Sequence, residues 1–113
     1  EKKKNKTKQK VERFETSMGG KKKKRQEKSS VPTLKELGNE AFLNKKFKTA
    51  IDLYSQAIET DVDNAILYSN RCAAYMGDDQ LDLALKDAET CIAKDPNFVK
   101  GYYRRAIVYR DMD

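Results

Sequence analysis

Leu34-Lys-Glu-Leu-Gly-Asn-Glu-Ala41 is matched 34 residues later by Tyr68-Ser-Asn-Arg-Cys-Ala-Ala-Tyr75, and again by Tyr102-Tyr-Arg-Arg-Ala-Ile-Val-Tyr109. The three align without a gap. Leu34, Tyr68 and Tyr102 share one column, and Ala41, Tyr75 and Tyr109 share another. Gly38, Cys72 and Ala106 form a column of small residues between them. The same offset pairs Phe47 with Leu81, Ala50 with Ala84, Ala57 with Cys91, Asp61 with Asp95 and Asn64 with Phe98. A unit of this length cannot bury its apolar face alone, so it stacks on copies of itself as helical hairpins.

Each unit carries two stripes at helical spacing. In the first, Thr33 caps a helix and Glu36 completes a capping box, with Leu34, Leu37, Ala41 and Phe42 forming the apolar stripe. Asn44-Lys-Lys46 supplies the turn, and Phe47, Ala50, Ile51, Tyr54, Ala57 and Ile58 make the second stripe. The second unit predicts helices over about 65–76 and 80–93. Pro96 suits the start of the next helix, where its missing N–H does no harm; Val62 takes that place in the first unit. Two helices approach closest where side chains are smallest. Gly38, Ala50 and Ala57 in one hairpin, and Cys72, Ala84 and Cys91 in the next, therefore read as packing residues.

The expected architecture is all-α. A basic extension spans 1–30, and repeats span 31–64, 65–98 and 99–113, the last holding only its first helix. The charge divides along the same boundary. Residues 1–30 carry 13 Lys and Arg against 4 Asp and Glu, a net of +9, whereas residues 31–113 carry 11 against 14, a net of −3. The extension reads as solvated and disordered or partly helical, with Val11, Phe14 and Met18 as its only apolar stripe. The alternative is a scaffold that docks through this segment on RNA, an acidic protein tail or an anionic membrane surface. Lys21-Lys-Lys-Lys-Arg25 also has the form of a nuclear-import patch.

The repeat resembles the tetratricopeptide repeat, carried by Leu37-Gly-Asn39, Ala50-Ile51, Tyr54, Ala57-Ile58, Asn70-Arg71, Ala74-Tyr75, Ala84, Asp95-Pro96 and Tyr103-Arg-Arg-Ala106. The likeness covers residues 31–113. It implies a helical-hairpin solenoid whose first helices line an inner surface. Stacks expose an apolar end unless a further helix covers it, so the natural protein is expected to continue past Asp113.

On the inner helices, Lys35 and Asn39 stand off the apolar stripe of the first, Asn70 off that of the second, and Lys100 and Arg104 lie four apart on the third. Two amines, a guanidinium and two carboxamides suit a pair of carboxylates. Arginine grips one as a planar fork, lysine adds a mobile charge, and asparagine fixes orientation. An extended peptide ending in a free aspartate presents both on one residue. The set is similar to the two-carboxylate clamp of co-chaperones such as Hop and the repeat domain of protein phosphatase 5. That resemblance implies binding of the Glu-Glu-Val-Asp terminus of the 70 and 90 kDa heat-shock chaperones, in the cytoplasm. Phe42, Ala73, Met76 and Ile107 are candidate apolar liners of the same groove.

No enzyme is expected within these residues, and neither a cofactor, a small-molecule substrate nor a metal. The chain has no histidine, no phosphate-cradling loop and no Ser or Cys beside an activating base. Cys72 and Cys91 do not make a CxxC pair, and the reading is of an intracellular chain with reduced thiols. The likeness to protein phosphatase 5 leaves room for a catalytic domain beyond Asp113.

Overall fold

The computed structural model describes residues 31–113, and the expectations for residues 1–30 lie outside the described residues. Five helices follow one another: α1 (Leu34–Leu43), α2 (Phe47–Thr60), α3 (Ala65–Gly77), α4 (Leu81–Lys94) and α5 (Val99–Met112). No strand occurs among the described residues, and none of their helices is long and apolar enough to cross a membrane. α1 with α2 and α3 with α4 are the two predicted hairpins. α5 takes the place of a third first helix.

Local chemistry sets the boundaries. The Thr33 hydroxyl accepts the Glu36 N–H at 3.0 Å while the Glu36 carboxylate accepts the Thr33 N–H at 2.9 Å, so both halves of the capping box are present. α3 opens differently, with the Asn64 carbonyl oxygen accepting the Ile66 N–H at 3.0 Å. The two hairpin turns are copies of one another. Lys45 and Asp79, equivalent at the 34-residue offset, both sit at φ 60°, a left-handed conformation that favours glycine.

Pro96 does not start a helix. It stands at the second position of a β-turn closed by the Phe98 N–H donating to the Asp95 carbonyl at 3.0 Å, and α5 begins only at Val99. Proline's fixed φ suits that turn position as well as it suits a first helical turn, which is why the sequence pattern placed it one element too late. Val62 occupies the matching turn, closed by Asn64 N–H to the Asp61 carbonyl at 3.1 Å. The tyrosines of the first column explain their recurrence here. The Tyr68 hydroxyl donates to the Val62 carbonyl and the Tyr102 hydroxyl to the Pro96 carbonyl, each at 2.8 Å, so each ties its helix to the turn preceding it.

The core runs along the stack as three overlapping clusters. Ala41, Ala50, Tyr54 and Ala74 join α1, α2 and α3. Ala57, Ile58, Ala65, Leu67, Tyr68 and Cys91 join α2, α3 and α4, with Leu34 of α1 against them. Cys72, Ala84, Ala88 and Val108 join α3, α4 and α5. The small columns act as expected inside the hairpins: Ala50, Cys72, Ala84 and Cys91 are fully buried. A Cβ added at Gly38 would lie 2.7 Å from the Tyr54 ring. Ala106, in the same column, is exposed, because no described helix follows α5. Both cysteines are free and buried.

Candidate functional site

The first helices of the three units stand side by side, and their polar residues meet. The Asn70 amide Nδ2 of α3 donates to Asn39 Oδ1 of α1 at 3.4 Å. From α5, Arg104 Nε donates to the hydroxyl of Ser69, the residue before Asn70, at 3.3 Å. A continuous seam thus runs Asn39, Asn70, Ser69, Arg104 across three helices. Lys35 and Lys100 stand one turn before Asn39 and Arg104 on their helices. Lys35 is half-buried and borders a cleft of about 310 Å³ walled by Leu34, Ala57 and Leu67 together with Asp61 and Asn64, whereas Lys100 is exposed.

Which cations remain available is decided by their partners. Arg71 of α3 is consumed internally: its Nε and Nη2 fork the Asp87 carboxylate at 2.8 Å each, and Nη1 donates to Ser55 Oγ at 2.9 Å. Its guanidinium also lies against the rings of Tyr68 and Tyr75. The hydrogen bond to Asp87 holds the Arg71 charge more firmly than usual, and burial pushes the Asp87 carboxyl up against the opposing pull of Arg71. Arg105 packs on the Tyr102 ring, and Arg110 pairs with Asp111. Among the described residues, Lys35, Lys100 and Arg104 are the inner-helix cations that neither pair with a carboxylate nor lie over an aromatic ring. Glu36, the nearest acid on α1, is spent on the capping box.

The apolar candidates divide. Phe42 is half-buried, edge-to-face on Phe47 with centroids 5.5 Å apart, and packs on the Ala41–Ala50–Tyr54–Ala74 cluster. Met76 is half-buried against the Cys72–Ala84–Ala88–Val108 cluster. Both are therefore engaged at least in part by the core. Ala73 and Ile107 are half-buried members of α3 and α5.

Two participants were not legible as polar groups in the sequence. Tyr54 belongs to the apolar stripe of α2, yet its hydroxyl donates to Asn39 Oδ1 at 2.5 Å. Ser69 is fully buried and receives Arg104. Ser69 carried no signal beyond its adjacency to Asn70. Tyrosine instead of phenylalanine at 54 was the available hint, since a buried phenol requires a partner.

Comparison with known proteins identifies the repeat. A family model described as "Serine/threonine-protein kinase BSK1-like, TPR repeats" matches residues 2–106. The heat shock protein sti1 homolog of Schizosaccharomyces pombe is 49% identical over 72 residues, covering 64% of this chain and 12% of that protein. The chain therefore spans about an eighth of that relative's length. Among solved structures, the Sgt2 TPR domain from Aspergillus fumigatus is 40% identical with a TM-score of 0.68, covering 70% of this chain and 52% of that one. The first TPR of Spaghetti (RPAP3), bound to the HSP90 peptide SRMEEVD, is 33% identical with a TM-score of 0.65, covering 66% and 61%. With its repeats, its hairpins and this match, the chain belongs to the tetratricopeptide-repeat (TPR) family.

Proposed function

We propose that residues 31–113 bind the C-terminal Glu-Glu-Val-Asp tail of the 70 and 90 kDa heat-shock chaperones, as an interaction module of a co-chaperone adaptor. In this reading Lys35, Asn39, Asn70, Lys100 and Arg104 hold the two carboxylates of the terminal aspartate, and no step of catalysis is assigned to the domain. The observation that carries it is the seam from Asn39 through Asn70 and Ser69 to Arg104, flanked by two lysines without acidic partners among the described residues. A row of donors with spare N–H groups and unneutralised positive charge recognises an anion that supplies only acceptors. The bound peptide SRMEEVD of the similar Spaghetti domain is an anion of that kind.

Each charge-assisted hydrogen bond contributes about 1.5–3 kcal/mol before losses. Ordering a flexible tail takes back about 2–5 kcal/mol. The balance gives a Kd of roughly micromolar order, weakening with salt. The test is calorimetric titration of the chain with Met-Glu-Glu-Val-Asp carrying a free terminal carboxylate. Lys100→Ala and Arg104→Ala each weaken binding at least tenfold if the seam is the clamp. Unchanged affinity in both variants would remove the proposal.

A further inference from the structure

We infer that two buried hydroxyls, Tyr54 and Ser69, are positioning residues of this groove, fixing which atoms of Asn39 and Arg104 are left to face the ligand carboxylates. The inference rests on the tail-binding reading and adds residues to it that do not touch the ligand. Tyr54 is 2% exposed and Ser69 is fully buried, so neither can reach a peptide lying in the groove.

The hydrogen-bond geometry assigns each its task. A carboxamide can turn its oxygen or its nitrogen toward a ligand, and only the nitrogen donates to a carboxylate. Asn39 Oδ1 receives the Tyr54 hydroxyl at 2.5 Å and Asn70 Nδ2 at 3.4 Å, so both of its lone pairs are used. Asn39 Nδ2 is thereby left for an incoming acceptor. Turning the Asn39 amide over would set its N–H₂ against the N–H₂ of Asn70 unless Asn70 turned with it, so the two carboxamides and the Tyr54 hydroxyl are oriented as one unit. Asn70 retains its second N–H for the ligand.

Arg104 is handled in the same manner. Its Nε–H is given to Ser69 Oγ at 3.3 Å, which leaves the edge formed by the two terminal nitrogens as the available fork. The Tyr54 ring is itself seated against Gly38, where an added Cβ would stand 2.7 Å from a ring carbon. The absent side chain at Gly38 therefore lets the ring lie where its hydroxyl meets Asn39. Burial pushes the Tyr54 phenol up and the Arg104 charge opposes that rise, so the cation is felt at the same buried spot.

The experiment is a pair of double-mutant cycles on the 113-residue chain, titrated with free-acid Met-Glu-Glu-Val-Asp. Tyr54→Phe keeps the buried ring and removes only the hydroxyl. One hydrogen bond's worth of pre-orientation corresponds to a weakening of about 3- to 10-fold. The same is expected for Ser69→Ala. The decisive expectation is coupling: Tyr54→Phe changes nothing further in an Asn39→Ala background, and Ser69→Ala nothing further in an Arg104→Ala background. A merely structural role gives the same loss in both backgrounds, and that result overturns the inference. Wild-type affinity in Tyr54→Phe and Ser69→Ala, with Asn39→Ala and Arg104→Ala still impaired, overturns it while leaving tail binding intact. Wild-type affinity in Asn39→Ala and Arg104→Ala brings down the tail-binding reading itself.

Discussion

Arg71 and Arg104 are the same residue type on adjacent inner helices, and their partners give them opposite uses. Arg71 is saturated by Asp87, Ser55 and two tyrosine rings and works as a strut between α2, α3 and α4. Removing its carboxylate leaves a half-buried guanidinium without its counter-charge. Asp87→Ala should therefore lower unfolding stability by about 3–5 kcal/mol in urea titrations. Arg104 spends one N–H on Ser69 and keeps its fork. Arg104→Lys should recover only part of the affinity that Arg104→Ala loses, because an ammonium supplies charge without the planar pair of donors. Cys72 gives a pH prediction. Burial pushes its thiol up to about 12, with Arg104 acting in the opposite direction. The native state then keeps a proton that the unfolded chain sheds from roughly pH 8.5 upward. Stability accordingly falls as pH rises from there toward about 12, by at most about 1.4 kcal/mol per pH unit for this group. Cys72→Ala, which fits the small column of Gly38 and Ala106, should flatten the decline measured by denaturant titration above pH 9.

At the scale of elements, the turns hold reserves of stability. Lys45 is exposed and left-handed at φ 60°, so Lys45→Gly relieves strain of about 1–2 kcal/mol and returns part of it as unfolded-state entropy. A net gain of about 0.5–1 kcal/mol is expected from thermal melts. The capping box of α1 was legible because Thr33 and Glu36 stand at the one spacing that lets each reach the other's backbone N–H. Pro96 was legible as punctuation but not as a turn. Its ring satisfies a turn's second position and a helix's first equally, and only the Phe98-to-Asp95 hydrogen bond separates the two.

Across the described domain, the stack was legible from the period alone, since every helix packs on its sequence neighbours and the columns record which side chain meets which. The five proposed groove residues were legible for the same reason: the period places them on helices that adjoin. What stayed hidden was the pair of buried hydroxyls that bond Asn39 and Arg104, because Tyr54 sits in an apolar stripe and Ser69 looks like any small residue. The open end of α5, where Tyr102, Tyr103 and Tyr109 are 41%, 57% and 50% exposed, was expected from a third unit holding only its first helix. The division at residue 30 is a proposal with its own test: a chain beginning at residue 31 should bind the tail within about twofold of the full chain, since all five proposed clamp residues lie within 31–113. The most direct measurement of the central claim compares two ligands that differ at one group. Met-Glu-Glu-Val-Asp with a free carboxyl terminus should bind with a Kd of roughly micromolar order, and the same peptide with an amidated terminus should bind at least tenfold more weakly. Equal affinity for the two would contradict a groove built to hold two carboxylates.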